Sequence, residues 1–106
     1  MRQNKILSLV GLATKAGKTV SGEFSTEKAV KNGTACIVLV SAQASENTKK
    51  KFQNMCAWYK VPVCFYGAKE ELGGAAGCEY RASLAVTDHG LAGAIMKELN
   101  NMDERR

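Results

Sequence analysis

The chain has 106 residues, of which 45% are hydrophobic and 24% are charged. This length suits one domain, and the apolar fraction is enough for a core without disulfides or metals. No apolar run approaches the ~18 residues of a membrane span, and polar residues interrupt the amino-terminal segment where a signal peptide would have its apolar region. We therefore expect a single domain over residues 1–100 and a frayed tail at 101–106, in a cytoplasmic protein with no membrane contact.

The net charge of +5 is distributed unevenly along the chain. Residues 1–69 hold 11 Lys or Arg against three Glu, a balance of +8, whereas residues 70–106 hold four basic and seven acidic side chains, a balance of −3. This asymmetry is compatible with a surface that attracts phosphates. An ordinary solvated surface with a basic bias is the alternative, and composition alone does not separate the two.

The residue types that usually carry catalysis or metal binding are sparse. The four cysteines, which form no Cys-x-x-Cys pair, are Cys36, Cys56, Cys64 and Cys78. With one histidine, His89, the chain offers no zinc-type spacing, and buried reduced thiols are favoured over a catalytic Cys–His pair. Asp88 precedes a predicted helix and is interpreted as its cap. We predict no enzymatic activity, no cofactor and no metal.

The first elements follow from periodicity and glycine placement. Apolar residues at helical spacing predict a helix over about 3–16, and Gly17 suits its left-handed cap. The segment GLATKAGKT looks like a phosphate-binding loop, but five residues rather than four separate Gly11 from Gly17, and the segment ends a helix instead of following a strand. Nucleotide binding is therefore disfavoured. KTVS is then predicted as a short extended piece, followed by a helix over about 24–32.

The remaining elements continue an alternation of strands and helices. ACIVLVS at 35–41 is the clearest strand, and VPVCFYG and ASLAVTD are two more. Between them lie a helix over about 46–59, with an inward face, and the short helix AKEELGGAAG, ended by Gly77. The inward face comprises Thr48, Phe52, Met55, Cys56 and Tyr59. A final helix, capped by Asp88, is predicted to end near Leu99. The class is α/β: a three-layer α/β/α sandwich with a mixed sheet of about four strands and about five helices.

The segment GKTVSGEFSTEK is the strongest candidate for a binding site. Gly22 allows a close backbone approach to a ligand, and the first-turn amides after it form an anion site that the helix dipole strengthens. Lys15, Lys18 and Lys28 bracket this point. The alternative is that Gly17 and Gly22 only cap and turn the chain, with the lysines in water.

Four blocks of this sequence resemble a known family. They are GLATKAGKTVSG at 11–22, KAVKNGTACIVLVSAQAS at 28–45, NTKKKFQNMCAWYKVPV at 47–63 and KEELGGAAG at 69–77. The chain resembles the small ribosomal-protein-type RNA binders that recognise kink-turns, and most closely their bacterial YlxQ-like branch, over about residues 4–96. The resemblance implies an α/β/α domain, monomeric when free, that binds RNA without chemistry near the translation machinery.

The resemblance also implies which residues contact RNA. Backbone amides and lysines of one segment would hold phosphates, while two loops would sense an unstacked part of the RNA. The implied residues of the segment are Gly17, Lys18, Gly22, Glu23, Phe24, Ser25 and Lys28. The loops contribute Ala42 and Gln43, then Tyr80, Arg81 and Ala82. Lys18→Glu is accordingly predicted to weaken binding strongly and to flatten its salt dependence.

The chain departs from the family at a position that matters for specificity. Kink-turn binders have Gly-Thr-Asn-Glu where this chain has Gly22-Glu23-Phe24-Ser25, and Phe24 lacks the groups that contact the sheared G·A pairs. Phe24 either stacks on an exposed base or belongs to the core. Our hypothesis is a non-enzymatic protein that grips a kinked or bent structured RNA, ribosomal or kink-turn-like, by backbone and shape readout. The alternative is a protein-interaction adaptor on the same fold.

Overall fold

The computed structural model describes the backbone of residues 4–104 and the side chains up to Asn101. Helices and strands alternate as the sequence predicts. In chain order the elements are α1 (Lys5–Lys15), β1 (Thr19–Ser21), α2 (Glu23–Lys31), β2 (Ile37–Val40), α3 (Glu46–Tyr59), β3 (Val63–Phe65), α4 (Lys69–Ala75), β4 (Ser83–Val86) and α5 (His89–Glu104). None of the helices within residues 4–104 has the length and apolarity that a bilayer crossing requires.

The four strands form one mixed sheet in the order β1-β4-β2-β3. β2 pairs with β3 in parallel, and both β1 and β2 pair with β4 in antiparallel fashion. Every residue of the two central strands, β2 and β4, is buried, as expected where both faces of a sheet are covered. The predicted mixed sheet is confirmed.

Helices cover both faces of this sheet, so the three-layer α/β/α architecture is also confirmed. On one face, α1, α4 and α5 pack on the inward side chains of Ile37, Leu39, Leu84 and Val86. On the other face, α2 and α3 pack on Val38, Val40 and Ala85 through residues that include Val30, Phe52 and Cys56. The alternation of side chains along β2 and β4 thus supplies both cores.

The glycine after α1 ends that helix as predicted. Gly17 has a φ of 72°. The amide of Lys18 donates to the Ala13 carbonyl at 2.7 Å, and the amide of Gly17 donates to the Thr14 carbonyl at 3.0 Å. These two bonds make a Schellman motif, which satisfies carbonyls that the helix end would otherwise leave open. The glycine–lysine pair of the apparent phosphate loop is therefore a helix terminator.

Two details of the predicted helices are wrong. Tyr59 is 42% exposed, although Phe52 and Cys56 on the same predicted face are fully buried. Tyr59 is the last residue of α3, which ends at Lys60 with a left-handed φ of 59°, so its side chain lies at the margin of the core.

The second detail concerns the end of the final helix. Its predicted cap is confirmed, because Asp88 Oδ2 accepts a hydrogen bond from the Leu91 amide at 2.8 Å. The helix does not end near Leu99, however, but continues to Glu104. No glycine or proline follows Leu99 to stop it. The predicted frayed tail is thus helical over 101–104, and residues 105–106 lie outside the described part of the chain.

Candidate functional site

Four connecting segments meet at one edge of the sheet. β1, β2 and β3 run in the same direction, so their carboxyl ends share an edge with the amino end of the antiparallel β4. We call this surface the rim and define it as residues 22–25, 42–43, 67–69 and 79–82. Loops at such an edge are held by the strands but remain open to a ligand.

Arg81 joins the last loop of the rim to the first. Its Nε donates to Ser21 Oγ at 3.1 Å, and its Nη1 donates to the Tyr80 carbonyl at 3.2 Å. The Arg81 Nε also lies 3.8 Å from the place that a Cβ on Gly22 would occupy. A guanidinium is thereby fixed beside the start of α2, where it suits a phosphate.

The middle loops of the rim are joined through Lys69. Its amide donates to Gln43 Oε1 at 3.2 Å, and its carbonyl accepts from the Arg81 amide at 3.0 Å. The Ala42 amide donates to the Gly67 carbonyl, and the Ala82 carbonyl accepts from Ser41. Gln43 therefore holds a neighbouring loop, and Ala82 contributes its backbone while its side chain packs against the second core.

The first turn of α2 forms the anion-binding part of the rim. Gly22 has φ 92° and ψ 156°, a conformation that is essentially restricted to glycine, and no side chain within residues 4–101 caps the helix. The amides of Glu23, Phe24 and Ser25 lack an acceptor within the helix because they belong to its first turn. These amides and the helix dipole favour a negatively charged group such as a phosphate.

Phe24 lies on the surface rather than in the core. Its side chain is 78% exposed, which excludes the core alternative. It lines one end of a groove of about 360 Å³ along α2, together with Glu27, Lys28, Lys31 and Asn32. Lys28 is exposed one turn beyond Phe24. The groove thus combines an aromatic face with an ammonium group, as a stacked base and its phosphate require.

Two further exposed aromatic residues lie at or near the rim. The sequence indicated Tyr80 only through the resemblance and did not indicate Phe65. Tyr80, in the loop before β4, is 60% exposed. Phe65, the last residue of β3, is 40% exposed at the same edge of the sheet. Phe65 lies at this edge because β3 runs parallel to β2. The sequence alone does not give the direction of β3, so it could not place Phe65 there.

Gly17 and Lys18 are not brought to the rim. They precede β1, and the Lys18 carbonyl accepts from the Thr87 amide beyond the far end of β4. Four residues of extended chain place Lys18 about 13 Å from Gly22. Lys15, Lys31 and Lys60 also lie toward this opposite edge, because α1, α2 and α3 end there. The basic residues between positions 4 and 101 therefore do not form a single face, and several lie near helix carboxyl ends, where the dipole favours them.

Glu23 belongs to an ion-pair network between α2 and α3. Lys51 Nζ lies 2.7 Å from Glu23 Oε2 and 2.8 Å from Glu27 Oε1, and Lys31 Nζ lies 2.8 Å from Glu27 Oε2. Hydrogen bonds from Lys31, which has the larger effect, and from Lys51 lower the pKa of Glu27 to about 2. Lys51 is thus engaged with acidic side chains rather than only with water, as is Lys49, whose Nζ lies 3.8 Å from Glu46 Oε2.

The comparisons with known proteins agree with this architecture. The model of the ribosomal protein L7Ae/L30e/S12e/Gadd45 family matches residues 4–95. The chain belongs to that family. The RNA-binding protein YlxQ of Bacillus subtilis strain 168 is 41% identical over 92 residues, which cover 87% of this chain and 92% of that protein. This confirms the resemblance found in the sequence, including its YlxQ-like branch.

A ribosomal protein and two solved structures are also similar to this chain. The large ribosomal subunit protein eL30 of Tetrahymena thermophila is 33% identical over 90 residues, 83% of this chain and 86% of that protein. A solved Bacillus halodurans protein of unknown function has a TM-score of 0.88 at 36% identity, over 92% of this chain and 99% of that one. The Giardia lamblia 15.5kD RNA binding protein has a TM-score of 0.76 at 21% identity, over 99% and 92%, and shows the fold alone.

Burial favours the protonated form of two of the four thiols. It raises the pKa of Cys56 to about 11 and that of Cys64 to about 12, so both stay protonated near neutral pH. The predicted burial is complete only for Cys56, and the other three cysteines are half-buried. Asp88 is engaged as the cap of α5.

Proposed function

We propose that this protein binds structured RNA through the rim and does no chemistry on it. The observation that carries the proposal is the juxtaposition, at one edge of the sheet, of the α2 amides, the fixed guanidinium of Arg81, and the exposed rings of Phe24 and Tyr80. Amides and a guanidinium suit phosphates, and rings suit bases. The name of the Bacillus subtilis relative, an RNA-binding protein, supports the same class of ligand.

The exposed rings favour a kinked or bent RNA over a regular duplex. In an A-form helix the base faces are stacked on one another, so an aromatic side chain has no face to contact. A kink unstacks bases and brings two backbone segments together, which suits a surface that offers rings and anion-binding groups a few residues apart. Phe24 and Ser25 lack the functional groups of the family's Asn-Glu pair, so we propose recognition of shape and backbone rather than of base edges.

We also propose the cellular setting in which the protein binds its RNA. Because the relatives of this chain include the ribosomal protein eL30, we propose that the target is ribosomal RNA or an RNA of the translation machinery. We propose that the protein acts in the cytoplasm and as a monomer. Nuclease treatment distinguishes RNA binding from the adaptor alternative. Protein partners held through RNA are released by the nuclease, whereas partners of an adaptor stay bound.

A salt titration of matched charge variants tests where the interface lies. We expect wild-type protein to bind a kink-turn RNA more tightly than a straight duplex of equal length, with a linear dependence of log Kd on log salt. Arg81→Gln should weaken binding and reduce the magnitude of that slope by about 0.7–0.9 if Arg81 neutralises one phosphate. Filter binding at four or more salt concentrations gives both quantities.

Lys18 provides the matched control at the opposite edge. Lys18→Gln removes the same charge about 13 Å from the rim, so it should change the slope less than Arg81→Gln does. Equal slopes for the two variants would instead extend the interface along β1 and would support the contact of Gly17 and Lys18 implied by the resemblance. Equal affinity for kinked and straight RNA would overturn the proposed specificity for bent RNA.

A further inference from the structure

A carboxylate lies at the start of the helix that we propose binds phosphate. Glu23 is the first residue of α2, next to the first-turn amides of the rim. The helix dipole attracts such a carboxylate to the same place that a phosphate would occupy. A free Glu23 side chain would therefore compete with RNA for the amides and repel its backbone.

Lys51 holds this carboxylate from a different helix. Its Nζ lies 2.7 Å from Glu23 Oε2, although the two residues are 28 positions apart in the chain. The contact exists because α2 and α3 pack side by side on the same face of the sheet. The side chains of Lys51 and Glu23 are 38% and 53% exposed. Exposed pairs of this kind contribute only about 0.2–1 kcal/mol to folding, so stability alone gives little reason for the arrangement.

We propose that Lys51 is a positioning residue for RNA binding, which draws the Glu23 carboxylate toward α3 and leaves the α2 amides open to phosphate. This inference rests on the proposed function of the rim. Lys51 itself need not contact RNA, because its ammonium group is already shared between Glu23 and Glu27.

Glu27 supplies an internal control for this role. It also contacts Lys51, at 2.8 Å, but Lys31 holds its other oxygen at 2.8 Å. The two lysines keep its pKa at about 2, so it is ionised at any pH used for binding. Loss of Lys51 would free Glu23, whereas Glu27 would keep Lys31. Only the removal of the Glu23 charge should therefore compensate for the loss of Lys51.

A double-mutant cycle on full-length protein tests the proposal. The probe is the kink-turn RNA used above, and the readout is Kd together with its salt slope. Lys51→Met should raise Kd about five- to tenfold, the order of one like charge placed near a phosphate at a protein surface. Glu23→Gln with Lys51→Met should restore Kd to within about twofold of Glu23→Gln alone, whereas Glu27→Gln with Lys51→Met should not. Lys50→Met removes the same charge from an exposed neighbour and should have a smaller effect.

The salt slope separates positioning from direct contact. If Lys51 only positions Glu23, Lys51→Met should leave the slope nearly unchanged. A slope reduced in magnitude by about 0.7–0.9, with no rescue by Glu23→Gln, would show that Lys51 contacts a phosphate and would overturn the proposal. Equal effects of Lys51→Met and Lys50→Met would overturn it as well.

A measurement without RNA distinguishes failure of the proposed role of Lys51 from failure of the proposed RNA binding. In NMR spectra of the free protein, the amide resonances of Phe24 and Ser25 should move downfield in Lys51→Met, as a carboxylate approaches them, and should return in the double variant with Glu23→Gln. Unmoved resonances would overturn the inference while leaving RNA binding intact. Absence of RNA binding by the wild-type protein would overturn the proposed function, and the resonances would still report where the carboxylate lies.

Discussion

Gly73→Ala is expected to lower the free energy of unfolding by about 3 kcal/mol, whereas Gly74→Ala should raise it by about 0.5–1 kcal/mol. The two glycines are neighbours in α4, but their surroundings differ. A Cβ on Gly73 would lie 2.1 Å from the Tyr80 Cα and 2.5 Å from the Tyr80 amide nitrogen, and these atoms are backbone. Among the residues that the structure describes, no atom outside the local helix backbone lies within 4 Å of a Cβ on Gly74.

The opposite signs follow from the two kinds of neighbour. At Gly74 an alanine only gains helix propensity, because the added methyl group meets open space. At Gly73 the same gain is outweighed, since either α4 or the loop before β4 must move by more than an ångström to relieve the overlap. Urea denaturation, analysed by linear extrapolation, gives both changes on one scale. Equal stability of the two variants would contradict the close approach.

The Gly73 substitution should also affect the rim. Tyr80 and Arg81 belong to the loop that the new methyl group displaces, so Gly73→Ala should weaken RNA binding, even under conditions where the variant is fully folded. Gly74→Ala should bind RNA as the wild type does. Weakened binding in Gly73→Ala with a native circular dichroism spectrum would link the loop position to the interface.

Phe24→Ala is expected to raise the Kd for kinked RNA by about 5- to 150-fold, which corresponds to the loss of one stacked base at about 1–3 kcal/mol. Its folding stability should not fall, because the ring is 78% exposed and makes no contribution to either core. Fluorescence anisotropy with labelled RNA gives the affinity, and thermal unfolding gives the stability.

Two variants make the Phe24 result specific. Trp58, 80% exposed near the end of α3, is a larger exposed ring at the opposite edge of the sheet, so Trp58→Ala should leave the affinity nearly unchanged. Phe24→Tyr keeps a stacking face and should retain most of the affinity. Equal losses in Phe24→Ala and Trp58→Ala would remove the rim from its proposed role.

Local features of the fold could be predicted because short stretches of sequence encode them. The apolar run of β2 indicated a strand covered on both faces, Gly17 indicated a left-handed helix end, and Asp88 indicated a cap. Each of these interpretations depends on residues within a few positions of one another. The predicted end of the last helix was wrong, because a helix that ends near Leu99 needs a stop signal and the residues after Leu99 contain none.

The candidate site was predictable only in part. Gly22 and the first turn of α2 were found from the sequence because glycine followed by a helix start is a local pattern. Whether Phe24 points to the core or to solvent stayed open, since a residue in the first turn of a short helix can lie on either side of the apolar stripe. The packing of Ala29 and Val30, on another face of α2, against α3 and the sheet decided that Phe24 faces solvent.

The sequence by itself determined the order of helices and strands, the ends of most of them and the family to which the chain belongs. Only the tertiary structure decided that Arg81 lies beside Gly22, that Lys51 holds Glu23, that Gly73 touches the loop at Tyr80, and that Lys18 lies at the far edge. The physical reason is range. Periodicity and capping act over a few residues, whereas sheet order and strand direction are set by the packing of distant segments around two shared cores.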